Sequence, residues 1–183
     1  MIKLPGKSIL TKIVQPTTFV LIGAVARLLP HPANFAPIGA MALFGGTHMN
    51  KKQALILPIL AMILSDALIG FDSLTMRVSV YGSFLLIVAM GFWLKKHLNY
   101  QNIAISSLAA STAFFVITNF SVWAFGSFYP KTAGGLWECF FLAIPFFRNT
   151  ILGDFFYNTI FFGGYEFIAK IILDKKVVLK EVG

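Results

Sequence analysis

Acidic side chains are scarce: 7 aspartates and glutamates stand against 15 lysines and arginines in 183 residues, and charged residues of both signs make up only 12% of the chain. A water-soluble domain of this size could not cover its surface with so little charge, so a soluble fold is excluded. Cysteine is limited to Cys139, which rules out an internal disulfide and a thiolate metal cluster. Beside Phe140 and Phe141 this thiol is expected to pack as a small hydrophobe. The histidines are three, and His48 and His97 lie at the opposite end of their helices from His31, so no metal site is expected. No paired-histidine metalloprotease helix, glycine-rich phosphate loop or nucleophile elbow occurs, and neither an enzymatic activity nor a cofactor is expected. Linkers, low-complexity tracts and long polar insertions are absent too, so residues 1–183 are expected to form a single integral membrane domain.

What is present is hydrophobic: 57% of the residues are apolar and 20 are phenylalanine. A hydrocarbon core about 30 Å thick takes roughly 20 helical residues to cross. By that ruler the expected fold is an all-α membrane protein, a bundle of six transmembrane helices near Val14–Leu29, Phe35–Met49, Gln53–Phe71, Val78–Leu94, Ile103–Phe128 and Thr150–Leu173. Leu136–Phe147 is too short to cross and is expected to be an interfacial or re-entrant element before the last helix. Lys3, Lys7, Lys12, Lys51, Lys52, Lys95, Lys96, Lys170, Lys175, Lys176 and Lys180 fall at one set of helix ends, whereas Arg27, Arg77, Lys131 and Arg148 fall toward the other. Basic residues in short loops stay cytoplasmic, which gives an N-in, C-in, multi-pass protein of the inner or plasma membrane. The net charge of +8 follows from this orientation and from contact with the lipid bilayer, and needs no nucleic acid. The basic start leads into a segment with Lys12 and Pro16 and no small-residue cleavage site, so the first apolar segment is expected to remain as a helix.

Depth along these helices sorts the polar residues into the outer half. Arg27, Asp66, Asn119 and Trp123 come late in outward-running helices, Arg148, Asn149 and Asp154 come early in the last inward-running one, and His31 and Asn34 occupy the first outer turn. Ionisable groups inside a membrane are expensive and normally pair with one another or line a wet cavity. Two arrangements satisfy that rule here: a substrate-binding pocket, or an ion-pair network such as Arg27 with Asp66 that clamps the bundle. In the stretch RLLPHPANFAPIGAMALFGG, Pro30 and Pro32 end the first helix, and Pro37 starts the second where its missing N–H is harmless. The second helix carries two small-xxx-small pairs, Ala36 with Ala40 and Ala42 with Gly46. Such pairs let helices approach closely, either within the bundle or against a partner subunit.

Five blocks of sequence carry a family resemblance: RLLPHPANFAPIGAMALFGG, SDALIGF, YGSFLL, TNFSVW and YPKTAGGLWECFFLAIPFFRNTILGDFFYN. The chain resembles, from about Pro16 to Glu166, a bacterial family of six-helix membrane proteins of unknown function, whose members resemble the substrate-binding S components of energy-coupling factor (ECF) vitamin transporters. The resemblance implies an S-component-like bundle with a pocket near the outer face and a surface for a transmembrane coupling protein with ATPase subunits. S components carry their small-residue docking motif on the first helix, whereas the pairs here lie on the second.

These features together give an expected transport protein that captures a small nutrient or vitamin-like solute near the outer face. Arg27 and Arg148 are expected to meet anionic groups of a ligand, Asn34, Asn119 and Asn149 to supply amide hydrogen bonds, Trp123 to stack on a ring, and Asp66 and Asp154 to hold the arginines; His31 completes the set. The alternative is a non-transporting membrane assembly or scaffold subunit in which the small-residue helix is the working surface.

Overall fold

Pro16 opens the first helix, α1 (Pro16–Ala26), in the first turn, where a proline loses no hydrogen bond. The computed structural model describes residues 15–171, and among these it contains seven α-helices and no strand. After α1 and a loop come α2 (Ile38–His48), α3 (Lys51–Ile69), α4 (Leu74–Leu94), α5 (Tyr100–Phe125), α6 (Ala133–Leu142) and α7 (Ile144–Asn158). A π-helical turn at Thr159–Gly163 continues α7, and the helix resumes over residues 164–171. Four helices start on a polar cap: Asn50, Ser73, Asn99 and Thr132 accept from the backbone N–H groups of Gln53, Met76, Asn102 and Gly135. Each cap satisfies a donor that the helix itself cannot.

Three helices, α3, α4 and α5, are long and apolar enough to cross a bilayer. The pair α6 and α7 passes the same test as one unit bent by 46°, which makes a fourth. In each of α3, α4 and α5 only 22–33% of the apolar window is buried, so most of that hydrocarbon surface requires lipid as its solvent. Leu68 and Trp137, 75% and 73% exposed, show the same outward-facing apolar character.

The ends of the sequence-derived segments shift. The first, expected over Val14–Leu29, is helical only to Ala26; Leu28 and Leu29 close tight turns onto Val25 and Ala26 ahead of Pro30. The second, expected over Phe35–Met49, begins at Ile38, because Pro37 serves as its N-cap. Both helices have 11 residues, about 16 Å at 1.5 Å per residue and roughly half a hydrocarbon core. The element expected at Leu136–Phe147 is split at Ala143, and its second part belongs to α7, since Pro145 favours a helix start there. Val14, Leu173 and the lysines at 3, 7, 12, 175, 176 and 180 lie outside the described residues.

The centre of the bundle is α2, in which Ile38 through Thr47 are all buried. Its closest neighbour is α4, met at Gly46 and Gly91: a Cβ on Gly46 would lie 2.4 Å from the Val88 carbonyl oxygen and 2.9 Å from the Gly91 Cα. Two backbones touch here because neither residue has a side chain. Nearby, Phe44 packs among Phe19, Phe161, Phe162 and Tyr165 and stacks on His48. The small residues of α2 are therefore used within the chain: Ala40, Ala42 and Gly46 are buried and Ala36 is half-buried against the core.

Candidate functional site

Residues 27–37 connect α1 to α2 as irregular backbone, largely exposed and buried only at Pro37; in a membrane protein such backbone is tolerated where water, protein or a cavity meets it. Local chemistry fixes the path. The Phe35 N–H donates to the Pro32 carbonyl at 2.9 Å, and Asn34 takes a left-handed φ of 63°, a conformation asparagine accepts more readily than most side chains. The ring nitrogens of His31 lie 3.0 and 3.3 Å from the carbonyl oxygens of Pro32 and Arg27. From α7, Asn149 Nδ2 donates to the Ala33 carbonyl at 3.0 Å, and Phe156 and Tyr157 pack on Phe35. The loop is thus stapled to α7.

Where the loop ends, α2 begins with backbone N–H groups that its own turns cannot satisfy. Asp154 of α7, 3% exposed, accepts from the Ala40 N–H and from Ser111 Oγ of α5, the latter at 2.6 Å. Gly39 is required for this contact, because a Cβ there would come within 2.3 Å of Asp154 Oδ1. A carboxylate at a helix N-terminus also meets the positive end of the helix dipole.

A second carboxylate, Asp66 of α3, is bound differently. Arg27 Nη2 lies 2.5 Å from Asp66 Oδ1, and the Tyr81 hydroxyl of α4 donates to Asp66 Oδ2 at 2.5 Å. Arg27 Nη1 reaches Ser65 Oγ and, at 3.3 Å, the Met62 carbonyl. This is the one ion pair among the described residues, and it joins the end of α1 to α3 and α4. Each charge faces its opposite and a hydroxyl completes the carboxylate, the arrangement expected of an ion-pair clamp.

Beside the clamp lies a cavity of about 120 Å³. Asn34, Ala36 and Gly39 form one wall, Met62, Val80, Phe84, Ile87 and Phe114 form an apolar wall, and Thr150 and Asp154 supply polar atoms from α7. Met62 belongs to both features, since its carbonyl accepts from Arg27. A second cavity, about 170 Å³, lies between α5 and α7 and includes Ser107 and Asn158. Asn158 Nδ2 donates to Ser107 Oγ at 3.0 Å.

Of the nine side chains singled out from sequence, Asn34 and Asp154 share the first cavity, and Arg27 and Asp66 form the adjoining clamp. His31 and Asn149 hold the loop. Asn119 donates to the Phe115 carbonyl of its own helix, Trp123 Nε1 donates to the Pro130 carbonyl at 2.9 Å, and Arg148 is exposed; none of these three lines the cavity. Asp154 meets no arginine; its partners are a hydroxyl and a backbone N–H. The residues not foreseen are Gly39, Met62, Val80, Phe84, Phe114 and Thr150 on the walls, and Ser65 and Ser111 behind the carboxylates. Hydroxyl residues on apolar helices give little sequence signal, because they commonly bond their own helix, as Thr112 does to the Leu108 carbonyl.

The family model for a family of unknown function, DUF6580, matches residues 7–176, and the chain belongs to that family. No curated protein and no solved structure matches it.

Proposed function

We propose that this member of the family is the solute-binding subunit of a membrane transporter, similar in plan to an S component, with six crossings, both termini cytoplasmic, and the plasma membrane as its site. On this reading α1 and α2 are short crossings completed by flanking residues, and α6 with α7 makes the bent last crossing. The observation that carries the proposal is the cavity under the 27–37 loop, with the buried carboxylate of Asp154 on its wall. Buried polar groups that line a concave space with otherwise apolar walls are the usual build of a small-molecule site. A transmembrane coupling protein with ATPase subunits is the proposed partner, and its docking face lies outside α2, whose small residues are already engaged.

A scaffold subunit is the second reading. It is favoured by the Arg27–Asp66–Tyr81 cluster, which ties three helices together and has the form of a structural clamp. Recovery of partners from gently solubilised membranes separates the two. ATPase and coupling subunits are expected to co-purify with the wild type and with Val80→Phe, a variant that fills the cavity from α4. A different membrane complex without an ATPase, recovered equally with both proteins, would replace the transport proposal by the scaffold one.

A further inference from the structure

We infer that the solute taken by the Asp154 cavity is a small organic cation, an inference that rests on the cavity being the solute site. The charge balance around the cavity carries it. Of the cationic side chains singled out from sequence, Arg27 is matched by Asp66 and Arg148 is exposed away from the cavity. Arg77 lies over the Phe71 ring, 4.9 Å from its centroid, and does not line the cavity. Asp154 is the one ionisable side chain on the cavity walls.

Asp154 receives only neutral donors, the Ser111 hydroxyl and the Ala40 N–H. The N-terminus of α2 supplies about half a positive charge. In its ionised form the carboxylate, set against that half charge, leaves the site net negative by roughly half a charge, and a bound cation favours that form. An anionic solute would meet this carboxylate with no arginine or lysine to offset it, whereas an ammonium group would supply the missing charge and a charge-assisted hydrogen bond.

The rest of the cavity fits the apolar part of such a molecule. Phe84 and Phe114 stand nearly parallel with centroids 5.3 Å apart, and Met62 and Val80 add hydrocarbon. Aromatic faces also attract cations. A volume of about 120 Å³ corresponds to about four water volumes, which admits a solute on the order of four to six non-hydrogen atoms.

The test uses the full chain in lipid nanodiscs and three probes of matched size: n-butylammonium, n-butanol and butyrate. The thermal unfolding midpoint is followed against probe concentration for the wild type, Asp154→Asn and Val80→Phe. The expected result is half-maximal stabilisation of the wild type by n-butylammonium at a concentration at least about tenfold below that of the other two probes. Asp154→Asn keeps the shape and an acceptor oxygen and is expected to erase that preference, while Val80→Phe is expected to remove the response to n-butylammonium. Should Asp154→Asn fail to fold, the probe preference of the wild type and its loss in Val80→Phe decide the matter. No stabilisation of the wild type by n-butylammonium, or equal stabilisation by n-butanol or butyrate, overturns the cationic assignment. If the favoured probe is lost in Val80→Phe, the solute site itself stands; if Val80→Phe responds like the wild type, the solute-site reading falls with it.

Discussion

Asp66→Ala is expected to destabilise the folded chain by about 3–5 kcal/mol, the usual penalty for removing one member of a buried ion pair and leaving its partner uncompensated. The substitution strands the Arg27 guanidinium and deprives the Tyr81 hydroxyl of its acceptor. Arg27→Ala is expected to act similarly through the stranded carboxylate. The contrast that identifies a clamp is the combined change Arg27→Met, Asp66→Leu and Tyr81→Phe, which removes every member of the cluster together. Apolar residues of similar size often replace a buried pair without loss, so the triple variant is expected to recover most of the wild-type stability. Thermal unfolding of purified protein, with membrane yield as a second readout, checks both parts. Single variants as stable as the wild type would show that these charges are solvated in some other way.

The second large effect is expected at the crossing of α2 and α4. Gly46→Ala places a methyl group against the Val88 carbonyl and the Gly91 Cα, both backbone atoms that cannot rotate aside. Separation of the helices is the only relief, and overpacking of this kind costs on the order of 1–3 kcal/mol. Gly46→Leu is expected to prevent recovery of folded protein, because α2 is enclosed on every side. Gly82 of α4 provides the control. A Cβ there meets nothing within 4 Å, and Gly82→Ala is expected to leave stability unchanged or raise it by up to about 1 kcal/mol through helix propensity. A Gly46→Ala variant with wild-type stability would mean that the two backbones are not in contact.

Some of this organisation was legible in the sequence for plain physical reasons. Pro30, Pro32 and Pro37 crowd three missing N–H donors and three ring clashes into eight residues, more than a helix accommodates, although the single Pro58 is carried inside α3, so a break between α1 and α2 is set by covalent geometry. A charge at that depth needs an opposite one or a wet cavity, so a pairing of Arg27 with Asp66 is one of the two arrangements the sequence allows. The shortness of α1 and α2 was less visible, since apolar residues such as Leu28, Leu29 and Phe35 continue the hydrophobic run past the helix ends. The bend at Ala143 was hidden for the same reason: Leu136–Phe147 is almost wholly apolar, and only Pro145 signals a new start.

The cavity itself was the least legible feature. Depth can be counted along a helix, and it grouped Asn119 and Trp123 with Arg27, but depth does not give the face. In a soluble helix the polar stripe reveals which side is buried. Here α5 is apolar on the lipid side and packed with small residues and hydroxyls inside, so both faces read alike. Asn119 therefore bonds its own helix, and Trp123 meets the loop at Pro130. The cavity is instead made by Met62, Val80, Phe84 and Phe114, which look in sequence like any lipid-facing residue. Nothing in the sequence distinguishes Gly39 from its small neighbours; its contact with Asp154 appears once α7 is packed against the start of α2.

Identification of small molecules released from gently purified protein, by mass spectrometry of the wild type beside Val80→Phe, bears on whether the space under the 27–37 loop holds a solute. The expected result is one cationic species in roughly stoichiometric amount from the wild type and its loss from Val80→Phe at equal protein recovery. The same species retained equally by both proteins, or no species retained by either, would contradict a solute site at Asp154.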